Sequence, residues 1–286
     1  MQIKQVSLMK TGATIKIYVP DQVADFNMTR RRPVVIIIPG GGFEYQSDRE
    51  KEMVALNYLA KGFVAVTLGY RLLEDGPIYP TVLTQVGNAV LYLKRHAGSL
   101  RISANHILLA GFSAGGHVAA MYADRWWAEE TIAPLELAAN EDVKVSAIAL
   151  GYPVIGLRLG WPTDAGVATK IRGDLENVEA DELVNQKNPP TFIWATQTDE
   201  LVPVVNTIKY VEALNQAGIP VESVIYNQGP HGLSLATAQS AFPKNFDRGW
   251  PTFGHDYVVP QVATWFESEL QWLTELWHLD DFWLGQ

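Results

Sequence analysis

Short apolar runs alternate with helical patterns along most of this chain. It opens with two segments that are apolar at every second position, joined at Thr11-Gly12, which predicts a hairpin. Short, mainly apolar runs then follow at 34–38, 63–67, 106–110, 145–150, 191–196 and 221–226. Strands of that kind, separated by amphipathic helices, are typical of a sheet covered on both faces. The pattern predicts an α/β fold with a mostly parallel central sheet.

The ends of two helices can be predicted from local signals. Ser47 and Glu50 have the spacing of a capping box, and Gly62 stands where that helix would end. A final helix is predicted from apolar residues at helical spacing: Val262, Phe266, Leu270, Leu273 and Leu276. The same tail holds aromatic residues in excess of what one helix face can bury: Trp272, Trp277, Phe282 and Trp283. We expect them to cover the edge of the sheet or a second subunit, which makes a homodimer a hypothesis.

Two stretches break the alternation of strands and helices. Residues 151–190 and 232–260 are rich in Gly, Pro and aromatic residues. Parallel sheets bind ligands outside the carboxyl ends of their strands. We therefore predict two excursions over that edge rather than separate domains, and one domain over residues 1–286.

Composition narrows the classes of function. The 286 residues are 48% hydrophobic and carry a formal net charge of −9, which argues against nucleic acid or an anionic membrane surface as the main partner. There is no cysteine, so disulfides, thiolate catalysis and zinc–thiolate sites are excluded. The first residues lack the apolar core of a secretory signal, and apolar runs such as 34–38 are too short to cross a membrane. We expect a cytoplasmic protein.

The stretch "GFSAGG", residues 111–116, follows one predicted strand and opens a helix. This is the G-x-S-x-G nucleophile elbow in the strand–turn–helix context that gives the motif meaning. Gly111 and Gly115 would allow the strand and the helix to pack closely. Ser113 is then exposed at the tip of the turn, near the positive end of the helix. A packing turn with an idle serine is the alternative.

A serine hydroxyl becomes a good nucleophile when a base accepts its proton. Of the six histidines, His231 lies on a Gly/Pro loop just beyond the last predicted strand. His117 is four residues after Ser113 and is expected to be a packed or capping residue. His255, in the second excursion, is a weaker competitor. The other three fall on predicted surface helices or at the opposite end of the sheet: His96, His106 and His278.

The imidazole in turn needs a carboxylate to orient it. Asp199 comes just past a buried strand and before a helix, and the order Ser113, Asp199, His231 is that of α/β-hydrolases. Its neighbour Glu200 remains an alternative for the same role. A helix-capping role is the structural alternative for Asp199.

The loop "PGGGF", residues 39–43, follows the first buried strand. Acyl transfer places negative charge on the carbonyl oxygen, and aimed backbone N–H groups stabilise that charge. We assign the donors to Gly41 and Gly42, with Ala114 after the nucleophile as the third. Bare glycines would let the backbone close on the substrate. Which glycine donates is left open, and a plain turn is the alternative.

Together with "GFSAGGH", the long stretch 188–222 and "GPHGLSLA", this loop resembles those of bacterial α/β-hydrolase esterases and lipases. The most similar branch is related to hormone-sensitive lipase and contains acetyl esterases and carbohydrate deacetylases. The resemblance covers most of residues 33–235. It implies an α/β-hydrolase fold and a carboxylic-ester hydrolase for short acyl groups that uses no metal and no organic cofactor. We expect the large N-terminal cap of many relatives to be missing here, because the hairpin is soon followed by the run 34–38. One departure is Pro39, which stands where the HGGG form has a loop-supporting histidine.

The residues beside the oxyanion loop and in the excursions are candidates for lining the site. They are Phe43, Glu44, Tyr45, Tyr70, Arg71, Trp161, Trp250 and Phe253. For the aromatic residues, loop packing is an equal alternative to substrate contact. Glu44 could instead pair with Arg49 or Arg71.

The sequence thus predicts a serine esterase that forms an acyl-enzyme on a small-molecule ester, with acetyl esters, including those of carbohydrates, as the favoured class. A serine peptidase or amidase on the same fold is one alternative. A binding protein that kept the fold and lost the chemistry is another. Kinship of fold does not choose the physiological ester.

Overall fold

Strands and helices alternate along the computed structural model, which describes residues 1–8, 10–25, 28–135, 137, 139–243 and 257–284, except the side chain of Phe282. The strands are β1 (Gln2–Leu8), β2 (Ala13–Val19), β3 (Arg32–Ile38), β4 (Val64–Gly69), β5 (Ile102–Phe112), β6 (Ala147–Gly151), β7 (Thr191–Thr196) and β8 (Val221–Tyr226). The α-helices are α1 (Glu52–Ala60), α2 (Thr81–Arg95), α3 (Ala97–Leu100), α4 (Ala114–Arg125), α5 (Glu129–Ile132), α6 (Ala165–Arg172), α7 (Ala180–Leu183), α8 (Val205–Gln216), α9 (Pro260–Ala263), α10 (Trp265–Trp277) and α11 (Leu279–Leu284). Short 3₁₀ turns span Asp48–Glu50, Leu73–Asp75 and Asn140–Val143.

The strands form one eight-stranded sheet in the order β1-β2-β4-β3-β5-β6-β7-β8. β2 pairs antiparallel with β1 and β4, and the predicted hairpin turns at Gly12 with φ 72°. From β4 to β8 every neighbouring pair is parallel. The carboxyl ends of β3, β5, β6, β7 and β8 therefore meet along one edge, which confirms the predicted mostly parallel sheet.

The core lies on both faces of this sheet because successive strand residues point to opposite sides. Val34 and Ile36 belong to the part of the core that includes side chains of α2, α4 and α8, whereas Val35 and Ile37 belong to the part that includes α1 and α10; all four are 0% exposed. Burying a side chain of this size contributes about 1.5–3 kcal/mol. None of the helices in the described ranges is both long and apolar enough to cross a bilayer.

The start of α1 differs from the sequence-based prediction. Ser47 makes no side-chain capping bond, and the 3₁₀ turn Asp48–Glu50 precedes a helix that begins only at Glu52. The predicted capping box is wrong because the Glu50 carboxylate points inward and accepts bonds from Gly40 and Tyr152 instead. The predicted end is right: α1 stops at Ala60, and Gly62 follows with φ 93°.

The aromatic residues of the tail pack against their own chain. The contacts are Trp272 with Phe192 (5.9 Å between ring centroids), Trp277 with His106 (5.3 Å) and the Arg30 guanidinium over Trp283 (5.3 Å). These three tryptophans therefore give no reason to expect a second subunit. A homodimer stays a prediction, and a clean monomer in light scattering at micromolar concentration would contradict it.

Candidate active site

Ser113 lies at a strained turn between β5 and α4. Its backbone has φ 52° and ψ −121°, and its N–H donates to the Gly151 carbonyl at 3.0 Å. A non-glycine residue held in such a region costs about 1–3 kcal/mol, which the packing around it must offset. A Cβ on Gly111 would lie 2.4 Å from the Gly115 carbonyl oxygen, and one on Gly115 would lie 2.2 Å from that of Ile38. Strand and helix can only pack this closely without those side chains.

Three of the predicted residues form a hydrogen-bonded triad, and each of them follows a different strand. The Ser113 Oγ lies 2.7 Å from His231 Nε2, and His231 Nδ1 lies 2.7 Å from Asp199 Oδ2. The side chains of His231 and Asp199 are 9% and 0% exposed. Glu200, the alternative carboxylate, is exposed, and the Nδ1 position is already taken by Asp199.

The hydrogen bonds determine which imidazole nitrogen carries the proton. An ionised carboxylate only accepts, so the Nδ1–H of His231 donates to Asp199. The Nε2 lone pair is then free to accept the hydroxyl proton of Ser113. This is the tautomer that a general base for the serine requires.

The backbone and neighbouring loops hold the carboxylate and the histidine loop in place. Asp199 Oδ1 accepts the N–H groups of Leu201 at 3.0 Å and Val202 at 2.9 Å. The Thr196 hydroxyl donates to the Gly229 carbonyl at 2.7 Å, which joins the end of β7 to the loop that carries His231. Asp199 thus orients the imidazole with one oxygen while the other is fixed by the backbone.

His117, one turn along α4 from Ser113, is a packed histidine as predicted. Its Nε2–H donates to the Val178 carbonyl at 2.8 Å, and its Nδ1 accepts from the Tyr79 hydroxyl at 2.8 Å. Burial lowers the pKa of His117 to about 4, so the ring is neutral. His255, the weaker competitor for the role of base, lies outside the described residues.

The glycine loop after β3 presents unused backbone donors beside Ser113. Gly40 is not one of them, because its N–H donates to Glu50 Oε2 at 2.7 Å. The N–H groups of Gly41, Gly42 and Ala114 have no acceptor among the described residues. Gly41 has φ 122°, and a Cβ there would lie 2.2 Å from a carbonyl oxygen of the same loop. The arrangement leaves Gly41 and Gly42 as the glycine donors available to an oxyanion.

Ser113 and His231 line a cavity of about 250 Å³. Both excursions contribute to its walls: Trp161, Pro162, Thr163, Asp164 and Val167 from the first, and Gly232, Phe242 and Tyr257 from the second. Glu44 and Tyr45 line the side of the glycine loop. Trp250 and Phe253 lie outside the described residues.

Three of the predicted pocket residues do not line the cavity: Phe43, Tyr70 and Arg71. Phe43 is 0% exposed and packs against Tyr70, His117 and Trp161, because its φ of 63° turns the side chain into the core. Tyr70 is 5% exposed, and its hydroxyl donates to the Pro39 carbonyl at 2.6 Å. Neither side chain lines the cavity. Both side chains instead anchor the glycine loop on the side that faces the core.

The ion pair considered for Glu44 does not form. Arg49 Nε donates to the Ser240 carbonyl, and its guanidinium lies 3.9 Å from the ring centroid of Phe242. Arg71 donates to the Asp75 carbonyl at 2.5 Å. Glu44 is exposed at the rim of the cavity.

Sequence reasoning did not predict the places of Arg49 and Glu50 in the cavity wall or of Tyr152 behind it. No local pattern marks them as part of the site, because their partners are distant in sequence. Burial raises the pKa of Tyr152 well above its usual value, and Glu50 adds to the shift, so its hydroxyl remains a donor. Among the described residues no group of three or more His, Asp or Glu side chains could hold a metal ion.

The BD-FAE family model matches residues 15–214. The chain belongs to the BD-FAE family. The solved carboxylesterase Cest-2923 of Lactobacillus plantarum WCFS1 is 35% identical to this BD-FAE chain and superposes with a TM-score of 0.87 over 96% of this chain and 98% of that one. The architecture is the α/β-hydrolase fold, which confirms the resemblance seen in the sequence.

Two longer proteins are related to this BD-FAE chain. An acetylxylan esterase of Xylanibacter ruminicola is 26% identical over 246 residues, or 82% of this chain. The endo-1,4-beta-xylanase B of Butyrivibrio fibrisolvens is 28% identical over 240 residues, or 81% of this chain. The chain spans 45% of the first relative's length and 36% of the second's.

Proposed function

We propose that this protein is a serine carboxylesterase that hydrolyses short-acyl esters, with acetylated carbohydrates as its substrate class. The observation that carries the proposal is the row Ser113–His231–Asp199, with both hydrogen bonds at 2.7 Å. It borders a cavity beside the unused N–H groups of Gly41 and Gly42. Nucleophile, base, orienting carboxylate and oxyanion donors are the full set that acyl transfer needs.

In the first half of the reaction, Ser113 attacks the ester carbonyl while His231 Nε2 accepts the hydroxyl proton. Asp199 stabilises the imidazolium that forms. The carbonyl oxygen gains negative charge, and the N–H groups of Gly41, Gly42 and Ala114 stabilise it. When the tetrahedral intermediate collapses, the alcohol leaves with the proton from His231, and the acyl group stays on Ser113.

In the second half, water takes the place of the alcohol. His231 accepts a proton from the water, whose oxygen attacks the acyl carbon. The same donors stabilise the second oxyanion. Collapse returns the proton from His231 to Ser113 and releases the acid.

The cavity supports a short acyl group. Its volume of about 250 Å³ lies just below the usual range of small-molecule pockets, roughly 300–1,000 Å³. Aromatic rings at the walls, Trp161, Tyr45 and Tyr257, suit the apolar faces of sugar rings, while Glu44 and Asp164 suit hydroxyl groups. The acetylxylan esterase among the relatives supports the same class.

The test compares hydrolysis of p-nitrophenyl acetate, butyrate and octanoate by the wild type, by Ser113→Ala and by Ser99→Ala. Ser99 is an exposed serine whose hydroxyl donates to the His96 carbonyl, so its variant is a matched control. We expect kcat of Ser113→Ala to fall by about 10⁶-fold, as when other triad serines are removed. Ser99→Ala should match the wild type, and the rate should fall steeply with acyl length. Release of acetate from acetylated xylo-oligosaccharides then tests the carbohydrate class.

Three results would contradict the proposal in different ways. Activity that survives in Ser113→Ala would mean that the elbow serine is idle. Octanoate hydrolysed as fast as acetate would remove the short-acyl assignment. No hydrolysis of any ester would favour an amidase, to be tried on p-nitroanilides, or a protein that only binds.

A further inference from the structure

Glu50 is a buried acidic residue at the cavity that the reaction described above does not use. It ends the 3₁₀ turn Asp48–Glu50, is 2% exposed and lines the cavity. Its Oε2 accepts the Gly40 N–H at 2.7 Å, and its Oε1 accepts the Tyr152 hydroxyl at 2.6 Å. One side chain therefore binds the glycine loop after β3 and the residue after β6.

Tyr152 extends this connection to the histidine loop. Its hydroxyl oxygen accepts the Ser234 N–H at 2.9 Å. The edge of its ring meets the imidazole of His231, with 5.1 Å between centroids and an angle of 76° between planes. A continuous chain of hydrogen bonds thus runs from Gly40 through Glu50 and Tyr152 to the loop that carries His231.

The position of the glycine loop matters because its backbone lies in close contact with the nucleophile. A Cβ at Gly40 would lie 2.7 Å from Ser113 Cβ and 3.0 Å from Glu50 Oε2. Pro39 offers only its carbonyl, which Tyr70 fixes at 2.6 Å. The bond to Glu50 holds the Gly40 N–H of that same peptide group, and the two peptide groups that follow carry the N–H donors of Gly41 and Gly42.

We propose that Glu50 is a positioning residue for hydrolysis. Through its bonds to Gly40 and Tyr152 it holds the oxyanion donors and the His231 loop in their correct relative positions. The inference rests on the proposed esterase function. Small misplacement of catalytic groups, on the order of 1 Å, can cost about 100-fold in rate. Loss of the carboxylate should therefore lower kcat rather than weaken substrate binding.

A negative charge on Glu50 would oppose this benefit, because its carboxyl group lines the same cavity as Ser113. Both of its oxygens already accept hydrogen bonds, from Gly40 and Tyr152, which partly neutralises that charge. Glu50→Gln separates the effect of the charge from the effect of positioning. Glutamine keeps the size and one acceptor oxygen for Gly40 but loses the charge and the second acceptor. Glu50→Ala loses both bonds.

The experiment measures kcat and KM on p-nitrophenyl acetate for the wild type, Glu50→Ala, Glu50→Gln, Tyr152→Phe and the double variant Glu50→Ala/Tyr152→Phe. Asp48→Ala is the matched control, because Asp48 belongs to the same turn but its side chain is 95% exposed. We expect kcat to fall by about 10- to 100-fold in Glu50→Ala with KM nearly unchanged, and by less in Glu50→Gln. The double variant should be no slower than Glu50→Ala, because both changes break one path.

A second readout separates positioning from general damage to the fold. A methyl trifluoromethyl ketone inhibitor forms a hemiketal oxyanion on Ser113, so its inhibition constant should rise by the same factor by which kcat/KM falls. Thermal melts of Glu50→Gln and Tyr152→Phe verify that these variants are folded.

Several outcomes would overturn the inference. They are wild-type kcat in Glu50→Ala, a Glu50→Gln variant faster than the wild type, strictly additive losses in the double variant, or inhibitor affinity unchanged while kcat falls. Wild-type activity that disappears in Ser113→Ala, combined with any of these, would refute the role of Glu50 alone. A wild type that hydrolyses no ester would refute the proposed function and this role with it.

Discussion

Asp124 is a buried carboxyl near the end of α4, the helix that follows Ser113. Its Oδ1 accepts hydrogen bonds from the Asn188 amide and from the Tyr210 hydroxyl, the latter at 3.2 Å, while its buried Oδ2 has no hydrogen-bond partner among the residues that the structure describes. Burial raises the pKa of Asp124 to about 8, so the group is mostly neutral at pH 7. Asp124→Asn keeps the shape and the Oδ1 acceptor. The amide therefore imitates the neutral acid at every pH.

The size of the effect follows from the pKa difference. Between the ordinary value of 3.8 and the raised value of about 8, the folded state holds a proton on Asp124 that the unfolded chain has released. The free energy of unfolding of the wild type then falls by about 1.4 kcal/mol for each pH unit as the pH rises. From pH 5 to pH 8 the loss is about 4 kcal/mol. Asp124→Asn lacks this contribution.

The assay is thermal unfolding of both proteins across that pH range. For a chain of this size about 1 kcal/mol corresponds to roughly 2 °C, so Tm of the variant relative to the wild type should rise by about 8 °C between pH 5 and pH 8. Burial also raises the pKa of Glu269 to about 8, but this group titrates in both proteins, so its contribution to the difference in Tm cancels. Asp174→Asn, at an exposed position, is the matched control and should show no such trend.

A difference in Tm that does not change with pH would refute the reasoning. It would mean that the folded carboxyl titrates as the unfolded one does, so that burial does not govern its charge. A variant that became relatively less stable as the pH rose would mean that the ionised form is the one the fold stabilises.

Asp199→Asn should lower kcat by about 10⁴-fold without a large change in Tm, because the amide cannot hold the His231 Nδ1–H as the carboxylate does; a loss below tenfold on p-nitrophenyl acetate would contradict the triad. Gly115→Ala should not yield a folded protein, since its Cβ would lie 2.2 Å from the Ile38 carbonyl oxygen; a wild-type circular dichroism spectrum and melt would show that the elbow can relax. Gly41→Ala should fold but lose about 100-fold or more in kcat, because the loop must leave φ 122° and move its N–H donors; unchanged kcat would assign those donors elsewhere.

Much of this molecule could be predicted because its signals are local. A parallel strand buried on both faces is apolar at nearly every position: β3 is apolar apart from Arg32, and β7 apart from its two terminal threonines. Residues that follow such strands lie at one edge of the sheet. Ser113 was identifiable from a turn that only glycines permit around it. Asp199 and His231 followed from their places after β7 and β8.

The features that the sequence did not predict depend on contacts between residues far apart in the chain. The spacing of Ser47 and Glu50 fits a capping box, but Glu50 bonds to Tyr152, 102 residues away, and no local pattern reports that partner. Phe43 is adjacent in sequence to the oxyanion donors, yet its positive φ turns it away from the cavity. Proximity along the chain could therefore not decide between substrate contact and packing for Phe43, and the structure shows packing.

The parts of the site follow four different strands, β3, β5, β7 and β8, which parallel pairing joins in one sheet, with β6 between β5 and β7. Each such pairing closes a long connection, so the entropy of the chain is lost before the strand contacts compensate for it. During folding, the base, the nucleophile and the oxyanion donors consequently meet only once the last of these strands is in place. Until then Ser113 is an ordinary alcohol, and a partly folded chain is chemically inert toward the esters around it.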